Sequence, residues 1–259
     1  MNGLQVTDDD RVRIIAIDRP QRRNAVDAET AAALYDAFLT ADGNDSVRVI
    51  VLTGTGGAFC SGADLQALAT GDLRPVELDG PGPMGPTRLR LQKPTIAAVE
   101  GAAVAGGLEL ALWCDLRVVA GDATLGVYSR RWGVPLVDLG TVRLPRLIGH
   151  SRAMDLILTG RGIDGVEAER IGLANRVVPS GESLTTAVEL AHQLAALPQA
   201  CLRGDRLSAI EQWDLDEAAA TRNEARRGRE TIESGESLQG ARRFASGAGR
   251  HGQPDTPGT

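Results

Sequence analysis

The stretch TIAAVEGAAVAGGLELALWCDLRVVA, Thr95 to Ala120, sets the carboxylate of Glu109 in an apolar run just after a Gly-Gly pair. Pro94 followed by Thr-Ile-Ala-Ala-Val reads as a short buried strand, and Leu108 to Trp113 as the first turns of a buried helix. Gly106 and Gly107 therefore fall at a strand-to-helix junction. Glycines there let a ligand approach the backbone closely, and the first amides of a helix have no intrahelical acceptor. Free amides at the positive end of a helix dipole stabilise an oxyanion, and an acid one turn further on can handle a proton. A Glu in a first helical turn also serves as a cap or as the partner of an arginine. Burying an unpaired carboxylate is costly, so Glu109 must be paired, protonated or used.

A second glycine-bearing segment lies upstream. Val47 to Leu52 is a β-branched strand that runs into TGTGGAFCSGADL, Thr53 to Leu65. Asp64 suits an N-terminal helical turn, and Ser61-Gly62-Ala63 can expose consecutive amides. No nucleotide motif results: Gly54-Thr55-Gly56 meets Phe59 where a third glycine is needed, and no Gly-Lys-Ser/Thr comes after it.

Strands at Val12–Ile17, Val47–Leu52, Thr95–Val99 and Leu116–Val119 alternate with helices at Asp27–Ala41 and Leu108–Trp113, an α/β pattern. Helix dominates from Gly181 onward, with a long amphipathic stretch over Asp214–Ser234; its charge-rich face, Thr221–Glu230, reads as solvated. The 259 residues, 42% hydrophobic, suffice for one sizeable core plus an appendage. A formal net charge of -6, with no basic stripe carrying interleaved aromatics, argues against nucleic acid as a partner. Lys93 is the one lysine among many arginines. Cys60, Cys114 and Cys201 are odd in number and widely spaced, so neither a disulfide framework nor a zinc site is expected, and the scattered His150, His192 and His251 suit no hydrolase triad. MNGLQVTDDD lacks the features of a leader and no stretch reaches membrane-spanning length, so a cytoplasmic protein is expected. GQPDTPGT after His251 reads as a frayed tail.

Together, FCSGADL and AVEGAAVAGGLELALWCD resemble the crotonase superfamily, which includes enoyl-CoA hydratases and isomerases. The likeness extends from VRIIAIDRPQRRNAV through ILTGRGIDGVEAERIGLANRVV to GARRFASGAGRHG. It implies a crotonase-like (ClpP-type) spiral of repeated ββα units over residues 1–197 and a C-terminal helical region over 198–259 that packs subunits into a homotrimer or a hexamer (dimer of trimers). It implies that the amides of Ala63 and Gly106 form an oxyanion hole for an acyl-CoA thioester, and that Glu109 is the first of two catalytic glutamates. It also places Arg22, Arg23, Ala25, Ala63, Asp64 and Leu65 along bound CoA; for the side chains of Arg22 and Arg23, phosphate contact and simple surface exposure both stand open.

This chain departs from the hydratase pattern at the second glutamate, where alignment through Leu125-Gly126 and Gly133 puts Ser129. A serine can hold a water but is a poor general acid at neutral pH. Arg130 and Arg131 come directly after it, and binding Glu109 or Asp138, holding a CoA phosphate, or lying in solvent are all open to them. Asp138 lies in DLGT, which resembles the D-x-G-T stretch of dienoyl-CoA isomerases, where an aspartate contributes to proton transfer; the spacing from Gly133 differs by one residue. Asp138 also suits a cap for a helix over Leu139–Ile148. The Gly- and Pro-rich GDLRPVELDGPGPMGPTRLR, Gly71 to Arg90, is a loop that either borders the acyl pocket, as in the family, or is a surface connection.

The expected protein is an enoyl-CoA hydratase-type lyase using Ala63, Gly106 and Glu109, with Ser129 and Asp138 as further candidate catalytic residues. Coenzyme A comes with the substrate, so no metal or other cofactor is expected. Two other readings stand beside it: dienoyl-CoA isomerisation through Asp138, and an acyl-CoA-binding protein without turnover. A Glu109 paired with Arg130 or Arg131, pointing away from the thioester, favours the last.

Overall fold

A hairpin begins the structured chain: β1 (Leu4–Asp9) runs antiparallel to β2 (Val12–Ile17), turning through Asp10 at a φ of 51°. β1 is exposed along most of its length, so its sequence LQVTDD carries no apolar alternation by which to read it. Beside β2 lies β3 (Val49–Gly54), parallel, with Val12 opposite Val49 and Ile17 opposite Gly54. β3 starts two residues later than its β-branched run, because the Val47 amide bonds Asn44 O at 3.0 Å in the preceding turn. β4 (Thr95–Val99), β6 (Leu116–Ala120) and β9 (Arg176–Val178) complete a six-stranded sheet in the order β1-β2-β3-β4-β6-β9. The computed structural model describes residues 3–72 and 75–247, so the tail after His251 lies outside the described residues.

The segments that leave β4 and β6 build a smaller sheet with a strand from further along the chain. It comprises β5 (Ala102–Val104), β7 (Thr124–Gly126) and β8 (Gly162–Ile163), in that order. The isolated parallel bridges Cys60↔Ala103 and Val26↔Ala63 carry it one rung further at each step. Each rung then feeds a helix: α1 (Ala28–Gly43), α2 (Leu65–Thr70), α3 (Gly106–Trp113) and, after a 3-10 turn at Tyr128–Trp132, α4 (Gly140–Ile148). The chain thus spirals as repeated ββα units, in which the second β element is as short as one bridge.

Strands with both faces covered read as continuous apolar runs rather than alternating ones, and β3 obeys that rule. Ile50 and Leu52 join Ile15, Ile17, Leu34 and Phe38 in one cluster, while Val49 and Val51 pack with Ile96, Val118 and Leu190 on the other face. Leu190 belongs to α7 (Ser183–Ala196), reached through α5 (His150–Thr159) and α6 (Gly165–Arg170). The chain divides into two compact units, Met1–Ala195 and Ala196–Thr259. The second holds α8 (Gln199–Glu211), α9 (Glu217–Glu233) and α10 (Glu236–Ala245). Arg227 of α9 pairs with Glu211 of α8 at 2.5 Å, and Glu236 accepts the Cys201 amide at 2.8 Å.

Two buried cations close helix C-termini in the first unit. Lys93 Nζ donates to Ala41 O at 2.7 Å and Asn44 O at 2.5 Å at the end of α1. Arg117 donates to Cys114 O and Leu173 O, both at 2.7 Å, and so caps α3. Removing a buried donor leaves carbonyls unpaired at about 1–3 kcal/mol each. Arg117→Met is therefore expected to cost about 3 kcal/mol or more in guanidinium unfolding; a midpoint equal to that of the wild type would contradict this capping role.

Candidate active site

The rung at Val26 aims the Ala63 amide. Val26 N donates to Gly62 O at 2.8 Å and Asp64 N donates to Val26 O at 2.9 Å, so the bridge straddles Ala63 and leaves its amide unused. Arg19 clamps this rung, reaching Asp27 at 2.6 Å and Asp64 Oδ2 at 3.1 Å and bonding Ala25 O. Asp64 Oδ1 accepts the Gln66 and Ala67 amides as the N-cap of α2. Both oxygens of Asp64 are thus committed within the protein, and only its backbone is left for a ligand. Ala25 is buried with its carbonyl taken, whereas Leu65 and Arg23 line the same pocket as Ala63. Arg22 lies outside that lining, exposed and bonded to Gln66.

The second loop arrives from β5. The helix α3 starts at Gly106, two residues before the apolar run that predicts it, because Ala105 takes φ 55°, ψ −125° and turns the chain. A positive φ on a residue with a Cβ costs of order 1–3 kcal/mol and marks functional sites. Ala105 N donates to Gly126 O at 2.9 Å, which fixes the turn. Gly106 opens the helix, and neither its amide nor that of Ala63 donates to another described residue. The two loops meet at Gly62, where an added Cβ would lie 2.9 Å from Gly106 N.

Ala63 and Gly106 both line a pocket of about 510 Å³ together with Glu109, Ser129 and Asp138 and with apolar side chains including Leu68, Val76, Met84, Trp132 and Val134. The Gly71–Arg90 segment contributes Val76, Pro83 and Met84 to this wall, while Leu78, 97% exposed, marks its outer part.

Glu109 is 2% exposed and Asp138 1% exposed. Glu109 Oε1 accepts the amides of Asp138 at 2.9 Å and Gly140 at 2.8 Å, leaving Oε2 without a bond from any described residue. Asp138 Oδ1 accepts the Met84 amide at 3.1 Å and the Thr87 hydroxyl. Two glycines make room: a Cβ at Gly140 would sit 2.7 Å from Glu109 Oε1, and one at Gly82 would sit 2.4 Å from Asp138 Oδ1. Burial, then the Asp138 charge, pushes Glu109 up to about 7 against the opposing amides and Arg143. Burial likewise raises Asp138, opposed by Thr87, the Met84 amide, Arg88 and Arg143. Arg143 is lowered to about 10 by burial and supported by the two carboxylates.

Two alternatives that the sequence leaves open are decided here. Asp138 does not cap the next helix: Leu139, at φ 69°, precedes α4, and Glu109 takes the Gly140 amide in its place. Arg130 and Arg131 bind neither carboxylate; Arg130 bonds Ile157 O at 3.1 Å, while Arg131 bonds Gly160 O at 3.4 Å and stacks over Tyr128 at 3.8 Å. The guanidinium that does approach the carboxylates is Arg143, which nothing in the linear pattern singles out. Ser129 reaches the pocket wall with its Oγ buried and without a hydrogen-bond partner among the described residues. Among those residues no group of His, Cys, Asp and Glu could hold a metal ion, and no helix is long and apolar enough to cross a membrane.

Comparison with known proteins finds likeness across nearly the whole chain. An enoyl-CoA hydratase of Mycobacterium tuberculosis is 36% identical over 239 residues, covering 90% of this chain and 89% of that protein. A carnitinyl-CoA dehydratase of Salmonella arizonae is 39% identical over 194 residues, 74% of each chain. The crystal structure of an enoyl-CoA hydratase from Mycobacterium tuberculosis H37Rv superposes with a TM-score of 0.90 at 34% identity, covering 95% of this chain and 96% of that one. A family profile described as enoyl-CoA hydratase/isomerase matches residues 7–248. With its ββα spiral, its paired free amides and a match of that extent, the chain belongs to the enoyl-CoA hydratase/isomerase family of the crotonase superfamily.

Proposed function

We propose that this pocket adds water reversibly across the double bond of a 2-enoyl-CoA thioester. One observation carries the reading: the Gly106 amide and the Glu109 carboxylate share the first turn of α3, and Glu109 Oε1 is pinned by two amides while Oε2 stays free. The thioester oxygen sits between the amides of Ala63 and Gly106. Glu109 Oε2 takes a proton from water as the water oxygen bonds to C3. The electron pair of the double bond moves onto the thioester oxygen, where two preorganised donors stabilise it. The resulting carboxylic acid returns its proton to C2, so the sum is one water added. A carboxyl poised at about 7 serves as base and then as acid near neutral pH.

In this mechanism Ser129 Oγ, buried and unpartnered, holds the attacking water, and Asp138 keeps a second carboxyl oxygen beside Glu109. The burial of Asp138 on the pocket wall favours a second reading, double-bond migration with Glu109 and Asp138 serving different carbons. The Arg130 or Arg131 pairing that would favour a turnover-free binding protein is not formed. The reaction as drawn needs no metal or nicotinamide, since CoA comes with the substrate. The exposed Ile232, Leu238 and Phe244 of the C-terminal helices support burial against further copies of the chain, as in a homotrimer or a hexamer.

The test is a panel of short-, medium- and long-chain 2-enoyl-CoA thioesters, tracked by mass with binding measured in parallel. Gain of one water with preference among chain lengths is expected. Migration without mass change would favour the second reading, and tight binding without either would overturn both.

A further inference from the structure

Arg143 holds two segments together that are distant in sequence. Its Nη2 donates to Thr87 O at 2.7 Å and its Nη1 to Asp138 O at 3.0 Å. The first segment supplies the Met84 amide and Thr87 hydroxyl to Asp138, and the second supplies the Asp138 and Gly140 amides to Glu109. Those four donors are all the hydrogen bonds that described residues give to the two carboxylate side chains.

We propose that Arg143 is a positioning residue for both carboxylates: one guanidinium staples the Met84–Thr87 segment to the Asp138–Gly140 turn and thereby aims the free oxygens of Glu109 and Asp138 into the pocket. A bidentate arginine suits this task, because its planar fork spans two carbonyls that a lysine's single ammonium cannot hold in the same geometry. Arg88 assists from the outer side, donating to Val137 O at 3.3 Å and Glu77 O at 2.8 Å. Arg143 also brings charge. Glu109 faces Asp138 and Arg143; Asp138 faces Glu109, Arg88 and Arg143; Arg143 faces Glu109, Asp138, Cys114 and Arg146. The cation opposes the rise that burial imposes on each carboxyl, so its loss moves both further upward.

Geometry and charge separate in two variants. Arg143→Lys keeps the charge and loses the two-point staple; Arg143→Gln loses both. Each is expected to lower kcat by about 100-fold, as misplacement of about 1 Å does, with KM within about three-fold of the wild type. Only Arg143→Gln should move the acid limb of the pH profile to higher pH. A part that merely supports the fold would lower the melting temperature in both variants and leave that limb in place.

The kinetic consequence rests on the hydratase reading, so a second readout is independent of it. An infrared titration of the ligand-free protein, with Glu109→Gln to assign the carboxyl band, should show Glu109 protonating at higher pH in Arg143→Gln and near the wild-type value in Arg143→Lys. If the wild type hydrates no enoyl-CoA, the reading of the reaction fails while the titration still decides whether the Arg143 charge acts on Glu109. Should neither arginine variant fold, Thr87→Val is expected to lose kcat and Thr87→Ser to keep it. An unmoved Glu109 band in Arg143→Gln, kcat within about two-fold of the wild type in both arginine variants, or equal kcat in both threonine variants overturns the proposal.

Discussion

Glu109→Gln is expected to lower kcat for hydration by about 10³-fold, within the usual range for a lost general acid–base, while acyl-CoA binding survives. The substitution is close to isosteric, and the amide oxygen can still accept the Asp138 and Gly140 amides that hold Oε1 at 2.9 and 2.8 Å. What disappears is the proton carrier at Oε2. The same variant should be more stable than the wild type at alkaline pH. Folding raises Glu109 from 4.5 to about 7, so the native state binds this proton more tightly than the unfolded state does. Native stability therefore falls as pH rises from 4.5 to 7, and the full penalty remains above that. At 1.36 kcal/mol per pKa unit this is about 3 kcal/mol, which the variant recovers at about pH 8 and not at about pH 4. Urea unfolding at the two pH values checks the sign: equal stability of variant and wild type under the alkaline condition would mean that Glu109 is not strained by ionising.

Gly62→Ala should damage the proposed oxyanion site and the backbone that carries it at once. Gly62 adopts a φ of 96°, and a Cβ there would meet Gly106 N and Ala105 Cβ at 2.9 Å and Val104 O at 3.1 Å. None of these atoms is the far end of a flexible side chain. The methyl would cover one proposed oxyanion donor and push apart the loops that carry both. Loss of one such donor typically costs about 10²–10³ in kcat, and a loss of that size is expected here. The backbone penalty adds about 1–3 kcal/mol of destabilisation. Arg19→Gln offers a useful contrast, because it loosens the clamp on Asp27 and Asp64 without placing an atom at the donors. Its loss of kcat should be smaller than that of Gly62→Ala; the reverse order, measured under saturating substrate, would count against the amide assignment.

The readable part of this site is the part built from short segments. Ala63 and Gly106 each come after a strand and open or precede a helix, so local pattern places their amides at ligand-facing junctions. Glu109 is legible for the same reason, since one apolar run carries both the helix and the lone acid. Its second duty is not legible. The amide it caps belongs to Gly140, 31 residues away, and that contact also displaces Asp138 from the capping role its position suggests. Thr87 reaches Asp138 across 51 residues, out of a Gly- and Pro-rich segment with no periodicity to read.

Arginines are hardest to assign from sequence, because a long side chain reports its address only when its neighbours are known. Arg130 and Arg131 lie next to the predicted site in sequence and bond carbonyls near the end of α5. Arg143 lies within α4 and bonds the carbonyls of Thr87 and Asp138 beside the two carboxylates. Ala105 is a different case: its turn is set by tertiary contact with Gly126, and a sequence offers no sign that an alanine rather than a glycine will bear a positive φ.

The most direct measurement is turnover of a 2-enoyl-CoA thioester in ¹⁸O-labelled water, comparing the wild type with Glu109→Gln. Hydration through Glu109 predicts a 3-hydroxyacyl-CoA product with one labelled oxygen at C3 from the wild type, formed far more slowly by the variant. An unlabelled product with a shifted double bond, or label incorporation at equal rates in both proteins, would contradict it.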